Sequence, residues 1–205
     1  GVMSSAIGMN KVFTKRIMLS LGINTPKYLV AALDYFTDNP NLLPYPYVVK
    51  PIKEGSSVGV FIISSEEDHS KVIGLYKSMS LSDQDLLIEE YIKGREIQTA
   101  VLLDKAIGTI EICPKNVFYD YESKYTDGFA EHIFPARVPE DIYEKTLDWS
   151  LKLHNAIGCR TVSRSDFIYC SKRNKLYMLE INTHPGFTKL SLVPEIALKS
   201  CNIDF

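Results

Sequence analysis

Apolar positions along the chain switch between the two spacings that separate helices from strands. Met9, Val12, Phe13, Ile17 and Leu21 fall close to helical spacing and Gly22 follows as a natural stop, which predicts a helix from Met9 to Leu21 with Lys11 near its start. "NTPKYLVA" reads as a turn and a short strand, and Asn39-Pro40, Pro44 and Pro46 punctuate a loop. "YPYVVKP" is a strand ending in Lys50, and the polar "IKEGSSVG" feeds a second strand, Val58 to Ile63, giving a hairpin with a donor-rich tip. Ser64-Ser65-Glu66-Glu67 caps a helix to about Ser78. "DLLIEEYIKGREIQTAVLLDKAIGTIEI" reads as three strands with turns at Gly94 and Asp104-Lys105. "PKNVFYDYESKYTDGFAEHIFPA" fits neither period and is expected to be a long surface loop of the kind kept for function. An amphipathic helix runs from Pro139 to Ala156 and a last helix from Ser191 to Lys199. The sum is an α+β chain of mostly antiparallel strands with helices alongside.

One stretch organises the rest. In "SRSDFIYCSKRNKLYMLEINTHPG", from Ser163 to Gly186, two apolar runs flank a polar turn, the pattern of a hairpin. With the turn centred on Arg173, Asp166 lies opposite Glu180 and Arg164 opposite Asn182. Side chains repeat every second residue, so Arg164 shares a face with Asp166, and Glu180 with Asn182. Two directly opposed carboxylates repel unless something positive sits between them. Carboxylates with an amide oxygen are hard ligands that suit Mg²⁺ carrying a nucleotide phosphate. The same pattern also fits a solvated hairpin with scattered charges.

Composition narrows the classes. Hydrophobic residues make up 45% and charged residues 23% of 205, the balance of a globular chain with a core. A net charge of −2 argues against a broad nucleic-acid or anionic-membrane footprint. Cys113, Cys159, Cys170 and Cys201 show no metal spacing and are expected to be reduced core residues of a cytoplasmic protein. No apolar run approaches the ~18 residues of a membrane span. Both ends read as cuts within a longer protein.

Lys11 and Lys50 sit near element ends beside the Gly/Ser loop, whose backbone N–H groups could meet phosphate although no Walker A motif is present. Joined to Asp166, Glu180 and Asn182, they read as a Mg-nucleotide clamp, with lysines on phosphates and carboxylates on metal.

"YPYVVKPIKEGSSVGV", "LIEEYIKGREI", "FYDYESKYTDG", "GCRTVSRSDF", "LEINTHPGFT" and "SLVPEIA" occur in the order found in D-alanine–D-alanine ligases, and the chain resembles the central and C-terminal domains of that ATP-grasp family. The resemblance implies two mostly antiparallel sheet-plus-helix subdomains gripping ATP, residues 1–93 with the phosphate-covering loop and 94–205 with the ω-loop and metal site. The family's N-terminal domain is absent, and with it the glutamate that holds the first substrate's ammonium. By resemblance Lys11 and Lys50 bind phosphates, and Glu54, Ser56 and Ser57 lie in the covering loop. Glu89, Tyr91 and Ile92 face adenine and Glu96 the ribose. Asp166, Glu180 and Asn182 hold two Mg²⁺ ions, with Mn²⁺ as a possible substitute. Arg164 and the Gly186 N–H receive an oxyanion, and Lys124 and Ser191 the second substrate's carboxylate. Tyr125 of the ω-loop pairs with Ser56.

The implied activity is ATP-dependent joining of two D-alanines through an acylphosphate for peptidoglycan synthesis, by a cytoplasmic enzyme that is a homodimer when full length. This stretch alone is expected to be inactive. The sequence departs from the family's pattern at Asn10 (usually Asp), Thr161 (usually Gly), His184 (Gln or Ser), Phe187 (Met) and Lys189-Leu190 (small or polar). A depsipeptide ligase is a close variant, and Tyr125 in place of a histidine favours the dipeptide maker. A nucleotide-binding module without catalysis is the alternative from another class.

Overall fold

The computed structural model describes residues 1–79, 85–114, 130–188 and 190–204. The chain separates into two compact units, one of 1–8, 13–25 and 93–205, the other of 9–12 and 26–92. The division differs from an unbroken 1–93 and 94–205 partition because most of the first 25 residues pack with the later part of the chain.

The N-terminal helix expected from Met9 is two helices, α1 (Val2–Met9) and α2 (Lys11–Ser20). Asn10 separates them: its Oδ1 accepts from Val12 N at 3.1 Å, satisfying one of the free N–H groups at the start of α2.

The smaller unit is a four-stranded antiparallel sheet of β1 (Tyr28–Ala31), β2 (Tyr47–Pro51), β3 (Phe61–Ile63) and β4 (Leu86–Glu90), in the order β1-β4-β2-β3. Helices α3 (Leu33–Asp38), which the sequence pattern did not announce, and α4 (Glu66–Ser78) belong to this unit. Ser65 caps α4 as expected, accepting from Asp68 N at 3.1 Å. One sheet face carries Ala31, Tyr47, Val49, Ile63, Leu86 and Ile88, which form a core with Phe36 of α3 and Val72 and Tyr76 of α4. The other carries Tyr28, Lys50, Leu87 and Glu89.

The larger unit is built on a five-stranded antiparallel sheet of order β7-β6-β5-β8-β9. Its strands are β5 (Arg95–Leu102), β6 (Lys105–Pro114), β7 (Ala130–Ile133), β8 (Val162–Cys170) and β9 (Lys175–Asn182). β7 lies where a loop was expected; it pairs with β6 and so extends the sheet. Its helices are most of α1 and α2 together with α5 (Glu140–Ala156) and α6 (Leu192–Cys201). Met18, Ile97, Ile142, Leu153, Phe167, Met178 and Ile181 form the core on one face, and Ile110 and Ile112 pack with Val193 and Ile196 of α6 on the other. No described helix is long and apolar enough to cross a membrane. All four cysteines are free, but only Cys170 is buried and Cys201 is exposed, so the expectation of core residues holds only in part.

β8 and β9 join through a single 3-10 turn, Ser171–Arg173, and Asn174 in the left-handed region. Cys170 pairs with Lys175 and Phe167 with Met178, so an uninterrupted ladder would set Leu179 against Asp166. The register shifts there by one residue, and Asp166 faces Glu180 and Arg164 faces Asn182. A one-residue bulge at Leu179 thus switches the parity of β9: Met178 and Ile181, three apart, both enter the core, and Glu180 turns to the Asp166 face. The outer edge of β9 is partly covered, since Met178 N donates to Asn24 O at 2.8 Å.

A polar seam runs under α5. Thr146, Ser150 and His154, spaced by four along the helix, are buried with Thr99, Thr109, Ser163 and Ser165 of the sheet. Thr109 Oγ1 lies 2.9 Å from Thr99 Oγ1 and 2.7 Å from Thr146 Oγ1, and His154 Nδ1 lies 2.8 Å from Ser163 Oγ. Burial lowers the His154 pKa, so the folded protein keeps the imidazole neutral to lower pH than the unfolded chain does. Its stabilising share is therefore complete above about pH 6.5 and lost as pH falls through the lower folded value. In urea titrations from about pH 7.5 to about pH 5, His154→Asn is expected to flatten the decline in stability; an unchanged slope would reject this account.

Candidate functional site

The larger unit brings a set of charged and amide side chains onto one sheet face. Directly opposed residues share a face, so Gln98, Asp166 and Glu180 form a row across β5, β8 and β9. Ala100, Arg164 and Asn182 form the next row, and Glu96 lies two residues before Gln98 on the same side. Arg164 grips Asp166 with both arms of its guanidinium, Nε to Oδ1 at 2.8 Å and Nη2 to Oδ2 at 3.0 Å. Burial opposes the arginine's charge, but Asp166, Glu180 and Glu96 outweigh it and raise its pKa, so Arg164 stays cationic. That charge offsets the repulsion that opposed carboxylates would otherwise bring.

Beyond β9 the chain turns sharply. Asn182 Oδ1 accepts from His184 N at 3.0 Å, closing a side-chain turn. Gly186 follows, and a Cβ there would come within 3.0 Å of Ser191 Oγ. Ser191 occupies the N-cap position of α6, yet its hydroxyl makes no capping bond. It accepts instead from Thr188 N and meets Thr188 Oγ1, both at 2.9 Å, so Ser191 Oγ closes the turn after Gly186. One turn into α6, Glu195 binds His132 Nδ1 of β7 and Lys199 Nζ, each at 2.7 Å. Burial raises the Glu195 carboxyl, and Lys199 and His132 more than reverse that, holding it below the usual range.

The smaller unit holds a separate group. Lys50 forms a buried ion pair with Glu89 Oε1, diagonally across β2 and β4. Lys11 N donates to Ile52 O at 3.1 Å, and its Nζ donates to the Glu54 carbonyl. Both lysines are thus held at the chain segment entering the 53–60 loop. In that loop Ser56 (φ 51°) and Ser57 (φ 61°) both lie in the left-handed region, which side-chain-bearing residues rarely adopt. The far end is anchored by Tyr76 OH, which donates to Gly59 O at 2.6 Å. Ser56 is exposed, Glu54, Ser57 and Tyr91 are half-buried, and Ile92 is buried.

The structure therefore assembles Arg164, Asp166, Glu180, Asn182 and Glu96 on one face, and Gly186 with Ser191 in the turn that follows. Lys50 and Glu89 come together, as do Lys11 and Glu54. Lys124 and Tyr125 of the expected ω-loop, and Lys189, lie outside the described residues. Asp166, Glu180 and the Asn182 amide are all oxygen donors and fit a hard divalent cation. Among the described residues no three His, Cys, Asp or Glu side chains converge as a metal cluster.

The family model described as "D-ala D-ala ligase C-terminus" matches residues 17–202. The chain belongs to that family. It is 58% identical, over all of its length, to a D-alanine–D-alanine ligase of Wolbachia pipientis, and 44% identical to one of Anaplasma marginale. It spans 64% and 60% of these relatives, respectively. Among solved structures, D-alanine–D-alanine ligase from Bacillus anthracis aligns with a TM-score of 0.79 at 32% identity, covering 98% of this chain and 65% of that one. The VanG D-Ala:D-Ser ligase from Enterococcus faecalis aligns at 0.80 and 28%, covering 98% and 60%.

The sequence departures have definite places, Asn10 before the D-ala D-ala ligase C-terminus match and the others within it. Asn10 performs the capping that an aspartate could also perform. Thr161 is exposed, and its carbonyl accepts from Leu103 N at 2.5 Å. His184, Phe187 and Leu190 are exposed along the segment that follows the oxygen donors. One residue and two residue pairs escaped the sequence reading. Gln98 shares the Asp166 row, a position that period-2 counting from Glu96 could have flagged. The other two, His132 with Glu195 and Arg137 with the buried Glu111 at 3.1 Å, are non-local pairs with no local signature.

Removing one partner of a buried ion pair leaves the other charge uncompensated. Glu89→Leu is therefore expected to lower stability by about 3–5 kcal/mol, and Lys50→Met with Glu89→Leu to recover most of it. Chemical denaturation of the single and double variants checks this; equal losses in both would show that packing, not charge, dominates.

Proposed function

We propose that this chain is the nucleotide- and cation-binding part of a D-alanine–D-alanine ligase, which joins two D-alanines at the expense of ATP for peptidoglycan precursor synthesis. The observation that carries the reading is the row on the β5–β8–β9 face: a half-buried arginine gripping one of two directly opposed carboxylates, with an amide oxygen in the neighbouring row. A surface hairpin has no use for such repulsion. The 58% identity to the Wolbachia enzyme supports the reaction, and the ATP complex of the Bacillus anthracis ligase, 30% identical with a TM-score of 0.75, supports the nucleotide.

On this reading Lys11 and Lys50 neutralise the nucleotide phosphates, and the N–H groups of the 54–59 loop cover them. Glu89, with the backbone at Tyr91 and Ile92, meets the adenine, and Glu96 the ribose. Asp166, Glu180 and Asn182 hold Mg²⁺ (or Mn²⁺), which supplies charge neutralisation on the phosphates. Arg164 and the Gly186 N–H aim donors at the oxygen that gains charge when the second D-alanine's amine attacks the activated carboxyl of the first. The first D-alanine's carboxylate takes the γ-phosphoryl group of ATP as ADP leaves; the second's amine then adds to the acyl carbon to form the C–N bond, the acyl C–O bond breaks as the oxyanion collapses, phosphate leaves, and the amine gives up a proton. Ser191 and Lys124 receive the acceptor's carboxylate. The longer protein is read as a cytoplasmic homodimer.

Phosphate release by the full-length protein with Mg²⁺ and ATP is expected to require D-alanine, with L-alanine, D-serine and D-lactate as controls, and to yield D-Ala-D-Ala by mass spectrometry. ATP binding without release would leave a nucleotide-binding module. Arg164→Ala is expected to lower kcat by about 10²–10³-fold, the usual effect of losing one oxyanion donor; near-normal turnover would remove Arg164 from that role.

A further inference from the structure

Gln98 lies opposite Asp166 on β8 and opposite Ile110 on β6, so its side chain has a carboxylate on one side and a fully buried isoleucine on the other. Gln98 is only 6% exposed, and its Oε1 is buried without a hydrogen-bond partner among the described residues. A buried amide oxygen left unsatisfied costs free energy, and within its row only the Asp166–Glu180 side can bring a donor. Gln98, Asp166 and Glu180 stand in register across three adjacent strands. Neither the sequence pattern nor the oxygen-donor set discussed above includes it.

We propose that Gln98 is a further member of the cation site, its Oε1 accepting a hydrogen bond from a water in the shell of a divalent ion held by Asp166 and Glu180. The inference rests on the cation-binding reading of that face. A water bound to a divalent cation is a strong donor, and an amide oxygen already desolvated and fixed by its neighbours receives it without reorganisation. Partners of this outer kind typically change metal affinity by about 10–100-fold when removed. Ser165 supplies an internal control. It too is buried with an unpartnered oxygen, but it neighbours Asp166 along β8 and so points to the opposite face, toward α5.

The test is Mn²⁺ binding to the full chain without nucleotide, read from the free-ion electron paramagnetic resonance signal, together with metal-free thermal midpoints. Gln98→Leu is expected to weaken Mn²⁺ binding by about 10-fold or more while leaving the metal-free midpoint unchanged or raised. Ser165→Ala is expected to behave the same way in the metal-free midpoint and to leave Mn²⁺ affinity alone. Gln98→Glu, which adds a charge to the row, is expected to bind Mn²⁺ more tightly and to melt lower without it. If Asp166→Asn abolishes Mn²⁺ binding but Gln98→Leu binds as the parent does, the role of Gln98 is overturned and the cation site stands. If the parent chain binds no Mn²⁺, or Asp166→Asn binds it unchanged, both readings fall.

Discussion

Two carboxylates placed face to face on neighbouring strands repel, and nothing in the apolar pattern of β8 and β9 by itself would put them there. The bulge at Leu179 does. By inserting one residue it lets Met178 and Ile181 both enter the core while Glu180 rotates to the Asp166 side. The burial of Met178, at 0% exposure, and Ile181, at 2%, fixes the register, and the repulsion is accepted as its consequence. Arg164 then has a defined task. Held by Asp166 through two hydrogen bonds, it offsets one of the two opposed negative charges and so eases the repulsion.

β8 divides its labour by alternation. Arg164 and Asp166 face the site, whereas Ser163, Ser165 and Phe167 face α5, where His154 and the threonine chain make a polar layer within an otherwise apolar core. Hydrogen bonds in such a layer are directional in a way that apolar contacts are not. The site's side chains are therefore mounted on a strand whose back is registered by specific bonds, the kind of support that a preorganised constellation needs. The smaller unit follows a related plan, with Lys50 and Glu89 on the face away from the α3 and α4 core.

Much of this was legible from residue order alone. The opposition of Asp166 and Glu180 followed from a hairpin centred on Arg173, and the structure has that pairing, although by a tighter turn and a bulge rather than by a symmetric loop. Period counting cannot see a bulge, since one inserted residue looks like a continued strand. The break at Asn10 was missed because the apolar residues on either side keep helical spacing, and only a side-chain bond to Val12 N reveals the cap. Ser191 looked like a capping serine; its hydroxyl oxygen instead accepts from Thr188 N, a competition between local N–H donors that sequence does not rank. α3 and β7 are short, and tertiary pairing decides elements of that size.

The bulge also separates the hairpin into a part that can drift and a part that cannot. Residues 171–174 lie on the distal side of Leu179, so insertions or deletions among them lengthen or shorten the exposed tip without re-phasing Asp166 against Glu180. A single-residue change between Met178 and Glu180 has no such freedom, because it inverts which side chains are inside. Natural variation in this hairpin should therefore be tolerated as length at its tip and only as like-for-like substitution near its base, with Leu179 as the boundary between the two regimes.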